Sequence, residues 1–181
     1  GGKKKVTYVI NKKPIESTNG EFVLQSVETL KYTGTKVTPK VELLYKGTAL
    51  TEGVDYKLSY QNNVNAGNKA KVTIQGIGNF KGSWKTEFTI TPADITETLI
   101  EAQDVAYKEN KKAVPKVILK YNNKNLKEKK DYVVTYDSNI KCQDGEVMVK
   151  GIGNFAGSGE QIVKVPYHVY EVAIGKAKVE K

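Results

Sequence analysis

The sequence predicts an all-β fold, laid out as two tandem β-sandwich units with short extra strands at the N- and C-termini. Three observations carry that expectation. The stretch Gly76-Ile77-Gly78-Asn79-Phe80 returns unchanged as Gly151-Ile152-Gly153-Asn154-Phe155, each followed by one residue and a glycine, Gly82 or Gly157. Upstream landmarks keep their order at a similar offset: Asp55-Tyr56 and Asp131-Tyr132, Pro39-Lys40-Val41 and Pro115-Lys116-Val117, Tyr32 and Tyr107. A period that long marks whole small units, not solenoid turns that must stack to exist. Between the landmarks, residues rich in Val, Ile, Thr and Tyr alternate apolar with polar at the strand period of two. Turn signals recur every roughly eight to twelve residues.

The expected layout is an N-terminal strand or linker over 1–20, a first repeat over 21–92, a second over 93–168, and a C-terminal strand or linker over 169–181. Residues 4–10 read as a short strand, broken by Lys12-Lys13-Pro14 and by Ser17-Thr18-Asn19-Gly20. It has no evident counterpart after the first repeat, and fits either the end of a preceding domain or an extra strand on the first sheet. Residues 22–30 make the first strand of repeat one, and Tyr32-Thr33-Gly34-Thr35 a turn. Val41, Leu43 and Tyr45 then alternate along the next strand, closed by Lys46-Gly47-Thr48. Tyr56, Leu58 and Tyr60 share one face of the clearest strand, with Lys57 and Ser59 on the other.

The Asn- and Gly-rich loop 61–68 leads to Val72 and Ile74, and the Gly-x-Gly element to Trp84, Thr86, Phe88 and Ile90. Pro92 ends the unit. In repeat two, residues 116–121, then Tyr132, Val134 and Tyr136, then Val147 and Val149 take the corresponding places. Val163 and Val165 are read as matching Phe88 and Ile90, and Pro166 as matching Pro92. One helical turn fits within 91–103, and a final strand over 169–174 runs into a Lys-rich end. A sandwich is preferred to a closed barrel because a tyrosine-bearing hairpin is flanked by lysine-rich, edge-like strands.

The 181 residues carry a net charge of +9, all of the positive charge being lysine. Without arginine the bidentate base contacts of sequence-specific nucleic-acid binding are missing, so no nucleic acid is expected as a partner. Scattered lysines, with runs at 3–5 and 127–130, read first as a solvated surface that protects sheet edges. Their functional reading is weak, salt-sensitive attraction to an anionic polymer such as a cell-wall polyanion. Cys142 is the one cysteine and cannot form an internal disulfide, which argues mildly against export. No stretch reaches membrane-span length, so no membrane insertion is expected. The Gly1-Gly2-Lys3 start is not a signal peptide and reads as a cloning scar or linker, in a cytoplasmic protein or a piece of a longer one.

The motifs do not assemble into an active site. A phosphate-cradling loop needs a following helix, whereas a strand is expected after Phe80 and Phe155, so each Gly-x-Gly reads as a tight turn. Cys142 and His168 are arithmetically a nucleophile and a base, but they lie in a variable loop and past a terminal proline. One Cys and one His cannot fill a structural zinc site. Asp55 and Asp131 read as acceptors of backbone N–H groups at strand entrances, with Tyr56 and Tyr132 packed inward. The loops 61–68 and 137–145 offer calcium oxygen ligands but few carboxylates. Lys120 and Lys164, inside apolar strands, either face solvent or could cross-link to an asparagine as an isopeptide. No catalytic residue, metal site or cofactor is assigned, and the ligand-binding residues are left open.

Tyr32-Thr33-Gly34, Pro39-x-Val41, Gly53-Val54-Asp55-Tyr56, Tyr60-Gln61-Asn62-Asn63, Asn65-Ala66-Gly67, Ile74-Gln75-Gly76-Ile77-Gly78-Asn79-Phe80 and Phe88-Thr89-Ile90 together resemble a bacterial immunoglobulin-like repeat. Such repeats stand in tandem in surface and secreted proteins of Gram-positive bacteria. The resemblance is close over 22–92 and looser over 93–166, where Tyr107-Lys108-Glu109 lacks the glycine and Ser138-Asn139 replaces the paired asparagines. It implies two Ig-like sandwiches in an extracellular, cell-surface or secreted protein, acting as a non-catalytic stalk, spacer or adhesion module. The partners it implies are a cell-wall polyanion, a glycan or a host surface protein, met by a monomer. The alternative is a glycan-binding module appended to a secreted carbohydrate-active enzyme, with Trp84 and exposed tyrosines as its platform.

Overall fold

The computed structural model describes residues 3–16, 20–137, 139–159 and 161–172. The Gly1-Gly2 start, the Ser17-Thr18-Asn19 breaker, Ser138 and the strand end expected at Ile174 lie outside them. The chain is all-β. Its described helices are two three-residue 3-10 turns, at Ile95–Glu97 and Gly153–Phe155. It divides into two compact units, Gly1–Leu30 with Thr35–Ile90, and Lys31–Gly34 with Thr91–Lys181. The segment Lys31–Gly34, read in the sequence with the first repeat, thus groups with the second unit.

In the first unit the strands run in order as β1 (Lys13–Pro14), β2 (Phe22–Val27), β3 (Leu30–Lys31), β4 (Val41–Tyr45), β5 (Thr48–Ala49), β6 (Tyr56–Gln61), β7 (Gly67–Gly76), β8 (Phe80–Lys81) and β9 (Ser83–Thr91). The single strand expected over 22–30 is therefore two, β2 and β3. The larger sheet has the order β3-β9-β7-β6, a second has β2-β4-β5, and β1 pairs with β8. Along β7 the strand period sends Ala70, Val72 and Ile74 to the interior, each fully or almost fully buried. Phe88 and Ile90 on β9, Tyr56 on β6, and Phe22, Val41 and Leu43 on the other sheet are buried as well. Two phenol hydroxyls run between the sheets: Tyr56 Oη donates to the Val41 carbonyl (3.1 Å) and Tyr60 Oη to that of Pro39 (2.9 Å).

The second unit repeats the plan with β10 (Leu99–Ala102), β11 (Val105–Ala106), β12 (Val117–Tyr121), β13 (Lys124–Asn125), β14 (Tyr132–Tyr136), β15 (Gly145–Gly151), β16 (Ile162–Tyr167) and β17 (Val169–Tyr170). Its sheets are β10-β12-β13, β14-β15-β16 and β11-β17. One core takes Leu119 from the first of these, Val147, Val149 and Val165 from the second, and Val169 from the third. The helical turn expected within 91–103 is the 3-10 turn Ile95–Glu97, opened by Asp94, whose carboxylate accepts the Thr96 N–H.

The register corrects one sequence match. On β7, Val72 faces Thr86 and Ala70 faces Phe88. On β15, Val147 faces Val165 and Gly145 faces Tyr167. Since Val147 stands where Val72 does, Val165 corresponds to Thr86, Tyr167 to Phe88 and Val169 to Ile90. The expected matches of Val163 and Val165 with Phe88 and Ile90 are four residues out of register, and Pro166 corresponds to Glu87, not Pro92. Pro166 is exposed on β16, an edge strand of its sheet among the described residues, where a missing N–H is tolerated.

The repeated Gly-x-Gly turn is fixed by crowding. A Cβ on Gly76 would lie 2.7 Å from the Lys81 nitrogen, and one on Gly151 only 1.9 Å from the Phe155 oxygen. Gly78 and Gly153 have φ of 59° and 58°, open to glycine at little cost. After the turn the two copies differ: β8 follows in the first, whereas the second coils through Gly153–Phe155 before an isolated bridge at Ala156. Where the first unit has Gly53 at φ 84°, the second has Lys129 at 64°. We expect Gly151→Ala to lower stability by about 3 kcal/mol or more, since backbone must move. Lys129→Gly should raise it by about 0.5 kcal/mol by relieving left-handed strain. Urea unfolding of the two variants checks both signs.

Candidate functional site

The residues the sequence singles out are used, for the most part, to tie the chain to itself. Asp55 Oδ2 accepts the Thr51 N–H (2.8 Å), and Asp131 Oδ2 accepts the Lys127 N–H (2.9 Å). In each copy the aspartate's own N–H returns to the same residue's carbonyl, at 2.8 Å in both. Its carbonyl then accepts an N–H from the Gly-x-Gly turn, Ile77 or Ile152, at 2.8 and 2.9 Å. The aspartate is thus a clamp between a turn and the glycine element, a carboxylate satisfied by backbone donors. Tyr56 and Tyr132 beside it are buried.

Two residues with a comparable role were missed by sequence reasoning. Asn63 and Asn139 are the buried polar side chains among the described residues. The Asn63 carbonyl accepts the Val37 N–H (2.9 Å) while its Nδ2 donates to the Val37 carbonyl (2.7 Å). The Asn139 carbonyl accepts the Ala113 N–H (2.8 Å), and its Nδ2 donates to the Gln143 carbonyl (2.7 Å). The Asn-rich loop and the shared Asn at an offset of 76 were the available signal, but a polar residue in a loop reads as exposed unless its backbone partner is known.

Cys142 and His168 do not form a nucleophile–base pair. The exposed Cys142 thiol donates to the Val169 carbonyl (3.4 Å), and His168 Nδ1 is paired with Asp144 Oδ1. The backbone N–H of His168 donates to Asp104 (3.1 Å). Among the described residues no three His, Cys, Asp or Glu side chains converge as a metal site would require. Lys120 and Lys164 point to solvent, the latter 3.3 Å from Glu146 on the neighbouring strand, so neither is placed for a buried cross-link. Trp84 is half-buried on the inner side of β9 opposite Ile74.

Lysines do gather around one cavity of the second unit. About 230 Å³ in volume, it is lined by Val105, Tyr107, Val114 and Val169 together with Lys108, Lys111, Lys112 and Lys141. Lys112 Nζ donates to the Tyr136 carbonyl (3.3 Å). The cavity can attract an anion by charge, with screening by salt. No helix of the described residues is long and apolar enough to cross a membrane. No protein-family model matches the sequence, and none of the curated proteins does.

The tyrosines give the site its pH dependence. Burial holds the phenols of Tyr56, Tyr60, Tyr132 and Tyr136 above their ordinary value, with nearby carboxylates adding to the shift. A phenol whose pKa is raised by folding contributes fully below the unfolded value of about 10 and loses that contribution as pH climbs through the folded value. Stability should therefore fall steeply above pH ~10. Tyr56→Phe should cost about 1 kcal/mol at neutral pH, by loss of the Val41 bond, and make the alkaline fall shallower. Urea midpoints measured from pH 7 to 11 test both.

Proposed function

We propose that the chain is a non-catalytic spacer or adhesion module of a cell-surface or secreted protein, formed by two immunoglobulin-like β-sandwiches. The observation that carries this reading is the duplication of the structural clamp at Asp55 and Asp131. The residue pair best suited to chemistry is spent, in both copies and at matching distances, on backbone N–H groups. An active site gains nothing from such repetition, whereas a load-bearing element does, because each unit must hold its own loops. The resemblance of 22–92 to Gram-positive immunoglobulin-like repeats supplies the compartment. The lysine-lined cavity favours an anionic polymer of the envelope as its contact.

Its mechanism is mechanical. Each sandwich resists extension through its strand ladders, and the loops remain available for contact. Stretched by its ends in single-molecule force spectroscopy, the chain should give two unfolding events with nearly equal gains in length. One indivisible event would contradict the reading, as would hydrolytic turnover of a peptide, ester or glycoside by the purified chain.

A further inference from the structure

The segment 6–10 is the most exposed apolar stretch among the described residues. Val6, Tyr8, Val9 and Ile10 are between 75% and 81% exposed, and the segment belongs to no strand. A solitary exposed leucine or valine needs no explanation, but four large apolar residues within five positions do.

The corrected register gives one. The closing stretch reads Thr86-x-Phe88-x-Ile90 along β9 in the first unit, and in the second Val165-x-Tyr167 at the end of β16 continuing to Val169 on β17. Each has a β-branched residue, an aromatic and an aliphatic at alternate positions. The N-terminal segment reads Val6-x-Tyr8-x-Ile10. Phe88 and Ile90 are 5% and 0% exposed, Tyr167 and Val169 3% and 2%. Tyr8 and Ile10 carry the same pattern at 79% and 80%. Moreover Gly2 falls where Gly82 stands, the glycine that precedes the first closing strand.

Contacts made within each unit, immediately C-terminal to these strands, support the equivalence. Past residue 10, Lys13 N–H donates to the Asn79 carbonyl at 3.0 Å, and Pro14 pairs with Lys81. Past β9, Ala93 N–H donates to the Asn154 carbonyl at 2.9 Å, and Asp94 bridges to Ala156, there in the antiparallel sense whereas the Pro14–Lys81 pair is parallel. Ile15 and Ile95 are then buried in turn. Positions 10, 13, 14 and 15 correspond, one for one, to 90, 93, 94 and 95. After residues 6–10, as after a closing strand, the chain meets the asparagine and the residue two places on in the glycine turn that follows, although the sense of the bridge differs.

We propose that residues 6–10 are the closing strand of a further copy of this unit. That copy presents an antiparallel acceptor strand of the β7 and β15 type, whose small and β-branched side chains would cover Val6, Tyr8 and Ile10. The partner is fixed by that chemistry: a sheet whose acceptor edge carries inward residues like Ala70, Val72 and Ile74, and which lacks its own final strand.

The test places a copy of residues 20–80 directly before Gly1 of the full chain, so that Gly1-Gly2 fall where Lys81-Gly82 stand. Amide exchange then reads residues 6–10. In the unextended chain these amides should exchange at the rate of an unstructured peptide. In the extended chain they should slow by at least about 100-fold, and Tyr8→Asp with Ile10→Asp should return them to the free rate. A second variant shows whether the segment can serve as such a strand at all: Thr86→Val, Glu87→Thr, Phe88→Tyr and Thr89→Val write its sequence into β9. That variant should retain the slow exchange of Val72 and Ile74. Free exchange of 6–10 in the extended chain overturns the proposal, and so does loss of protection at Val72 and Ile74 in the second variant. Protection in the unextended chain that grows with concentration would assign the segment to self-association and overturn it equally.

Discussion

The structure depends on the antiparallel pairing of a central strand with a closing strand, β7 with β9 and β15 with β16. Val72, Ile74, Val147 and Val149 are fully buried there. Each such side chain contributes about 1.5–3 kcal/mol when taken from water. Their burial needs both backbone neighbours, because a strand in the middle of a sheet must satisfy its N–H and C=O groups on two sides. The remaining features depend on that pairing. The tyrosine-bearing strand occupies the other flank, the second sheet covers the apolar face, and the glycine turn brings the closing strand back at close range.

The aromatic cluster over that core shows how the two units reach one packing by different means. In the first, Phe22 lies tilted by 36° against Tyr45 at a centroid separation of 4.8 Å and meets Phe80 edge-on at 5.7 Å. In the second, Tyr121 and Phe155 stand where Tyr45 and Phe80 do, and the ring that meets Phe155 edge-on at 5.4 Å is Tyr32. Its carbonyl accepts the Tyr121 hydroxyl at 3.1 Å. The position matching Phe22 is held by Thr98, whose hydroxyl turns to the Ile95 carbonyl. A ring is needed over each aromatic pair, and the sequence position that supplies it differs.

That contrast explains what could be read from the sequence. Alternation revealed β4, β6, β7 and β14 because one face of each is buried, and period two results from that alone. The glycine turns were legible because only glycine tolerates the crowding at Gly76 and Gly151. The register of β16 was not legible, since Val163, Val165, Tyr167 and Val169 are all apolar at the same spacing and only hydrogen bonding selects among slips of two or four. The grouping of Lys31–Gly34 with the second unit was hidden for a related reason: sequence order places Tyr32 with the first repeat. Of the candidate polar residues, Asp55 and Asp131 were readable as turn acceptors. Asn63 and Asn139 were not, because their burial depends on Val37 and Ala113, which lie 26 residues earlier in the chain in both copies.

The central claim is that both units pair the closing strand with the central strand, β9 with β7 and β16 with β15, in the same register. Proton–proton contacts between β15 and β16, measured by nuclear magnetic resonance, test it most directly. The account predicts cross-strand α-proton contacts at the non-hydrogen-bonded pairs of that register, Glu146 with Pro166 and Met148 with Lys164. Contacts placing Val163 opposite Gly145 would contradict it, since they would shift the second closing strand by four residues and leave Tyr167 and Val169 without the places that Phe88 and Ile90 hold in the first.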